Sequence, residues 1–197
     1  MNSSSGSNIG REPVLLTFEK SKGVRVEPIS VNGTIHIFLV DLAGKKDTVG
    51  ILNDLQRNYP KSRELQRALG KDNERIVRLA YRAILAGDGE KVGTLMVESQ
   101  RNFDKLAEPY SPEHLSSPLL HRVLNFQGIA EHIYGGKDVG SQGDGTAQFV
   151  CRSAEDRDAA MAEIEAAFPQ MLCFPLTISQ SPPALSRRDM AAISVGT

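Results

Sequence analysis

Gly135-Gly136-Lys137-Asp138-Val139-Gly140-Ser141-Gln142-Gly143-Asp144-Gly145-Thr146-Ala147-Gln148-Phe149-Val150 is the stretch on which the fold of this chain turns. Five of the eleven residues from Gly135 to Gly145 are glycine. Apolar runs flank them, Ile129 to Tyr134 on one side and Ala147 to Cys151 on the other. Short apolar runs bounded by glycine read as strands, so the local pattern is strand, glycine loop, strand. Glycine reaches positive φ without penalty and lets a ligand come close to the backbone. Successive N–H groups in such a loop can form a concavity for an anion. A polar, exposed hairpin turn is the other reading of the same residues.

Downstream, Ser153-Ala154-Glu155-Asp156 resembles a capping box. It opens a helix that buries Ala160, Ile164 and Ala167, and Met171 to Ile178 follows as a last strand. Upstream lies a block of helices. Ser111-Pro112 and Ser117-Pro118 are cap-then-proline starts, the second opening a short helix through Leu119, Leu120, Val123 and Leu124. Asp72 opens a longer helix with Ile76, Val77, Ala80 and Ile84 as its buried stripe, closed by Gly87. Asp88 starts the next, with Val92, Leu95, Met96, Ser99, Phe103 and Leu106 on one face. The short link makes the two an antiparallel pair. Further upstream, Ile35 to Leu42 is apolar on both faces and reads as a central strand. It runs into the polar loop Ala43-Gly44-Lys45-Lys46-Asp47-Thr48, where Asp47 or Thr48 can cap a helix carrying Val49, Leu52, Leu55 and Tyr59. Basic side chains and a hydroxyl at a helix N-terminus suit an anionic ligand; a capped, solvated loop is the alternative. Pro13 to Phe18 reads as a buried strand, Lys20 to Gly23 as a turn, and Val24 to Ile29 as a half-exposed strand with Pro28 near its edge.

Strands set apart from a block of helices predict an α+β fold, an antiparallel sheet with helices packed on one face. The closing strand, loop, strand, helix, strand order suits a ferredoxin-like half. Residues 1–10 are expected to be a disordered lead, 11–178 the domain, and 179–197 a loose tail with adjacent prolines.

The bulk properties exclude several classes. The chain has 197 residues, a net charge of −1 and scattered Lys and Arg, which argues against nucleic acid as a partner. No apolar run approaches the roughly 20 residues that span a bilayer, and the N-terminus lacks the apolar core of a signal peptide. Cys151 and Cys173 read as two buried thiols of a cytoplasmic protein. The four histidines form no recognised metal-binding spacing, so no metal ligand is assigned.

Read together, the glycine loop and the loop carrying Lys45, Asp47 and Thr48 resemble the C-terminal domain of the GHMP kinases. The third motif of that family is roughly Lys-x-x-Gly-Ala-Gly-x-Gly-Gly. Lys137, Gly140 and Gly145 fall on matching positions and Ser141 replaces the alanine, while Gln142 and Asp144 stand where the family has glycine. The resemblance covers about residues 11–178. It implies ATP and Mg²⁺ as cofactors and a small hydroxylated substrate, such as a sugar or a mevalonate-like acid. It implies a nucleotide and phosphate loop formed by Lys137, Gly140, Ser141, Gln142, Gly143, Asp144 and Gly145, with Lys137 as counter-charge and Ser141 and Gln142 as side-chain donors. Asp41, Lys45, Asp47 and Thr48 fall on the substrate side. The family's phosphate-wrapping Pro-x-x-x-Gly-Leu-x-Ser-Ser loop and its acidic base belong to an N-terminal domain, and neither occurs here. The expectation is therefore a C-terminal kinase domain that is inactive alone, with no catalytic base assigned. The competing expectation is a non-catalytic α+β binding or dimerisation module that forms a homodimer through an exposed apolar face.

Overall fold

A computed structural model of the chain describes residues 14–19 and 23–179. The expected lead at 1–10, the turn at Lys20 to Lys22 and nearly all of the tail lie outside the described residues. Strands β1 (Val14–Glu19) and β2 (Gly23–Pro28) form an antiparallel hairpin. Strand β3 (Thr34–Asp41) then leads into five helices: α1 (Thr48–Asn58), α2 (Arg63–Arg67), α3 (Asn73–Ala86), α4 (Gly89–Leu106) and α5 (Pro112–Leu115). Helix α6 (Pro118–Leu124), β4 (Ile133–Asp138), β5 (Thr146–Cys151), α7 (Ala154–Ala167) and β6 (Leu172–Ser179) complete the order.

The main sheet runs β4-β5-β3-β6, with every neighbouring pair antiparallel. Two crossovers each skip one strand. The helical block carries the chain from β3 to β4 with β5 between them, and α7 carries it from β5 to β6 with β3 between them. This is the split βαβ arrangement of a ferredoxin-like sheet. The expected α+β fold on an antiparallel sheet is what forms.

Alternation along β3 and β5 sends side chains to opposite faces, and both faces carry helices. Phe38, Val40, Ala147, Phe149 and Cys151 pack with Leu120 and Val123 of α6 and Ala160 and Ile164 of α7. Phe38 and Phe149 stack at 5.0 Å between ring centroids. On the other face Ile35, Ile37 and Val150 meet Ala83 of α3 and Val92 of α4. The expectation of helices on one face is corrected here. Strand β3 is apolar on both sides, and each side needs a cover. A third, smaller core joins Ile51 and Leu55 of α1 to Leu65, Ala107 and Leu115.

The hairpin also departs from expectation. Cross-strand pairing puts Val14, Leu16 and Phe18 opposite Pro28, Val26 and Val24, so one face is an apolar row. That row is open, with Phe18 76% exposed and Val26 58% exposed. An apolar run predicts a buried strand, but composition does not say which partner covers it.

Candidate functional site

Strand β4 ends at Asp138 and β5 begins at Thr146, which leaves residues 139–145 as the loop. Its neck is closed by Val139 N–H donating to Thr146 O at 3.0 Å. Gly140 and Gly143 take φ of 80° and 89°, and Gln142 between them takes 64°. Glycine removes the penalty at two of these three positions. Gln142 is held there by its surroundings. Its N–H donates to Asp138 Oδ2 at 2.9 Å, its Oε1 accepts from Gln100 Nε2 at 2.8 Å, and its Nε2 donates to Asp104 Oδ1 at 3.1 Å and to Leu115 O at 3.2 Å. Gln100 Oε1 in turn accepts the N–H of Asp138 at 2.9 Å. The whole Gln142 residue is buried. Its amide, expected to face a phosphate, is engaged inside the protein and braces the loop from behind.

The two charged residues expected in the cradle are also committed. Lys137 Nζ donates to Asp138 O at 2.7 Å and lies 2.9 Å from Asp138 Oδ1. It thereby compensates a carboxylate that is only 4% exposed. Asp144 Oδ1 accepts the N–H of Leu120 at 2.9 Å, in the first turn of α6. A helix N-terminus satisfies that negative charge.

The cation that lies over the loop is Lys46, which sequence reasoning passed over in favour of Lys45. Lys46 Nζ donates to Val139 O at 3.0 Å. Its stem runs past Gly143 and Gly145, and a methyl group at Gly145 would come within 2.9 Å of Lys46 Cδ. The two loops are joined by Leu42 N–H donating to Gly145 O at 3.0 Å. Gly44 packs directly against Asp144 O, where no side chain fits. Lys45 is exposed, as are Asp41, Asp47 and Thr48. Asp41 Oδ1 accepts from Ala43 N–H at 3.0 Å; Asp47 Oδ1 caps α1 by accepting from Gly50 N–H at 2.8 Å. The paired lysines were the signal in the sequence, and only the turn at Gly44 decides which one folds over the glycines.

Ser141 Oγ is buried without a hydrogen-bond partner. Among the described residues no backbone carbonyl accepts from the N–H groups of Gly140, Ser141 or Gly143, and Gly140 is exposed to solvent. Orphaned donors at a site of this kind require a ligand or water to satisfy them. A cavity of about 530 Å³ opens beside them, walled by Gly140, Ser141, Leu52, Tyr59, Leu69 and Phe103. A second, of about 210 Å³, shares Gly140 and is lined by Asn73, Ser99, Asn102 and Lys137. Free N–H groups, a hydroxyl and an ammonium group together fit a phosphoryl group. Asp138 at the end of β4 and Asp144 in the loop each already have a protein partner, which leaves the loop's donors to face an anion. A cavity of about 350 Å³ along α3, among Lys71, Arg75, Arg78 and Arg82, stands apart from the loop. There Arg75 and Arg78 are paired with Glu98 and Glu74.

No family model matches the sequence, and no curated protein sequence matches it. The solved structures do match. A mevalonate kinase from L. major in complex with R-mevalonate is 20% identical, with a TM-score of 0.68 over 85% of this chain and 49% of that one. A phosphomevalonate kinase from Streptococcus pneumoniae is 14% identical, with a TM-score of 0.60 over 81% of this chain and 45% of that one. A galactokinase from Lactococcus lactis complexed with galactose is 13% identical, with a TM-score of 0.56 over 87% and 52%. The sheet with its glycine loop and the helices on both faces define an α+β protein of ferredoxin-like topology. More particularly, the fold is the one found in the GHMP kinases: mevalonate, phosphomevalonate, galacto- and homoserine kinases. The chain spans about half the length of these structures.

Proposed function

We propose that this chain forms the phosphate-binding wall of an ATP-dependent small-molecule kinase of the GHMP type. The supporting observation is the buried, unpartnered Ser141 Oγ, set beside loop N–H groups and under Lys46. Phosphoryl transfer needs its groups positioned and its developing charge stabilised. Backbone N–H donors of Gly140, Ser141 and Gly143 would hold the transferred group's oxygens, with Ser141 Oγ as a further donor. Lys46 Nζ has donor capacity beyond the bond to Val139 O. ATP with Mg²⁺ would supply the phosphoryl group, and a hydroxyl of a small substrate would accept it. On this reading the chain binds nucleotide weakly, does not turn it over alone, and acts in the cytoplasm.

Calorimetric titration with Mg-ATP and with inorganic pyrophosphate tests the reading. Lys46→Ala is expected to weaken binding by about tenfold, the value of one charge-assisted contact, while Lys45→Ala leaves it unchanged. Equal binding by wild type, Lys46→Ala and Ser141→Ala would remove the loop from the site.

A second reading, a non-catalytic module that pairs with another chain, is favoured by one observation. The hairpin row Val14, Leu16, Phe18, Val24 and Val26 is open to solvent. A two-stranded hairpin is marginal without a covered face.

A further inference from the structure

The geometry points to a transition-metal site behind the glycine loop, built by Asp104, Glu108 and His121. Asp104 lies in the last turn of α4, Glu108 one helical turn beyond it, and His121 on α6. One ligand atom from each residue can be chosen so that all lie within 4.8 Å of one another, and all three residues are half-buried. His121 Nε2 stands 3.6 Å from Asp104 Oδ1. Ligands on a tetrahedral ion with bonds of about 2.1 Å are about 3.4 Å apart. The imidazole and the Asp104 carboxylate therefore already stand at about the required separation.

Charge gives an independent reason for a cation here. Among the described residues neither Asp104 nor Glu108 has a Lys or Arg within 4.0 Å. A divalent ion would offset the charge of two neighbouring carboxylates in a half-buried place. Gln100 Nε2 and Gln142 Nε2 both donate to Asp104 Oδ1, at 2.8 and 3.1 Å. These two bonds occupy both lone pairs of Oδ1 and fix the carboxylate's orientation, so Oδ2 is the oxygen that would face an ion. One imidazole nitrogen with two carboxylate oxygens suits Zn²⁺ or a similar first-row ion better than Mg²⁺ or Ca²⁺, which favour oxygen throughout. An ion at this point ties α4 to α6. Through the Asp104–Gln142 bond it also holds the loop on the side opposite Lys46. The site is independent of the kinase reading.

The test is a Co²⁺ titration of the full chain after dialysis against a chelator. A visible absorption band is expected to saturate at one ion per chain, to be displaced by Zn²⁺, and to be accompanied by a rise in melting temperature. His121→Ala and Glu108→Gln, each confirmed as folded by circular dichroism, are expected to weaken binding by at least about tenfold. His132→Ala, at the separate His132–Asp156 pair, is expected to bind as wild type does. Absence of a saturable band in the wild type overturns the proposal. So does wild-type binding by folded His121→Ala and Glu108→Gln, or loss of binding in His132→Ala.

Discussion

Gln142 shows how one residue can reverse its expected role. Placed among glycines, it read as a donor facing a ligand; buried with φ of 64°, it anchors the loop to α4 and to Leu115. Gln142→Ala removes several buried hydrogen bonds and leaves Gln100 without a partner for its Nε2 contact to Oε1. The expected loss is about 3 kcal/mol, each unsatisfied buried group costing about 1–3 kcal/mol. Urea unfolding measures it, and a loss below about 0.5 kcal/mol would show the network to be incidental. Of the two thiols expected to be buried, Cys151 is buried and Cys173, on strand β6, is only half-buried. Burial pushes Cys151 and Cys173 up to about 12 each, so neither is thiolate near neutral pH. Cys151 is 2% exposed. A thiol-reactive dye is expected to label Cys151 only after denaturation; prompt labelling in the native protein would contradict this burial. The choice between Lys45 and Lys46 was not legible, because neighbouring residues of one type carry the same local signal.

Elements were legible where periodicity and caps agreed. Helix α3 ends at Gly87 in the left-handed region with φ of 70°, as its glycine required. Helix α7 starts on Ser153, whose Oγ accepts from Asp156 N–H at 3.0 Å. Asp156 also accepts from His132 Nδ1 at 2.8 Å and from Ser153 Oγ, and these bonds hold its carboxyl below the usual range. A depressed carboxyl pKa stabilises above its ordinary value, near 3.9, and the contribution is lost as pH falls through the folded value. His132→Ala is therefore expected to move the Asp156 titration upward, which carboxyl-resolved NMR detects; an unmoved titration would assign the depression to Ser153. Packing of α4 on β4 is tighter than helix propensity would choose. A methyl group at Gly93 would lie 2.5 Å from Tyr134 Cβ and 2.9 Å from Gly135 N. Alanine gains about 1 kcal/mol of helix propensity over glycine. Overpacking against backbone costs about 1–3 kcal/mol, so Gly93→Ala is expected to lower the melting temperature; a rise would mean that α4 can slide. Less legible was α1, where Val49, Leu52 and Tyr59 stay exposed while Ile51 is buried. Helical spacing places Leu52, Leu55 and Tyr59 near one another, and in the fold they line the cavity beside Gly140.

Among the described residues, exposed large apolar side chains lie on the hairpin, on β6 at Leu172, Phe174 and Leu176, and on the helical block at Val49, Leu52, Tyr59, Leu69 and Val77. Exposed patches of this kind mark surfaces that another body covers. If that body is a second copy, sedimentation velocity is expected to show a concentration-dependent dimer, and Phe18→Ser with Val26→Ser should return a monomer. A wild-type monomer at every concentration would leave the module reading without support. Among the described residues no helix is long and apolar enough to cross a membrane, in line with the apolar runs of the sequence. By itself the sequence determined the strand–loop–strand centre, the antiparallel helix pair, the caps and the antiparallel α+β class, because periods, caps and glycine act over a few residues. Tertiary structure alone decided that helices cover both faces, that Lys46 lies over the loop and Gln142 behind it, and that the hairpin's apolar row is open. Each of these depends on contacts between residues tens of positions apart, such as Gln100 with Gln142 and Lys46 with Val139, and no local pattern encodes which partner will be near.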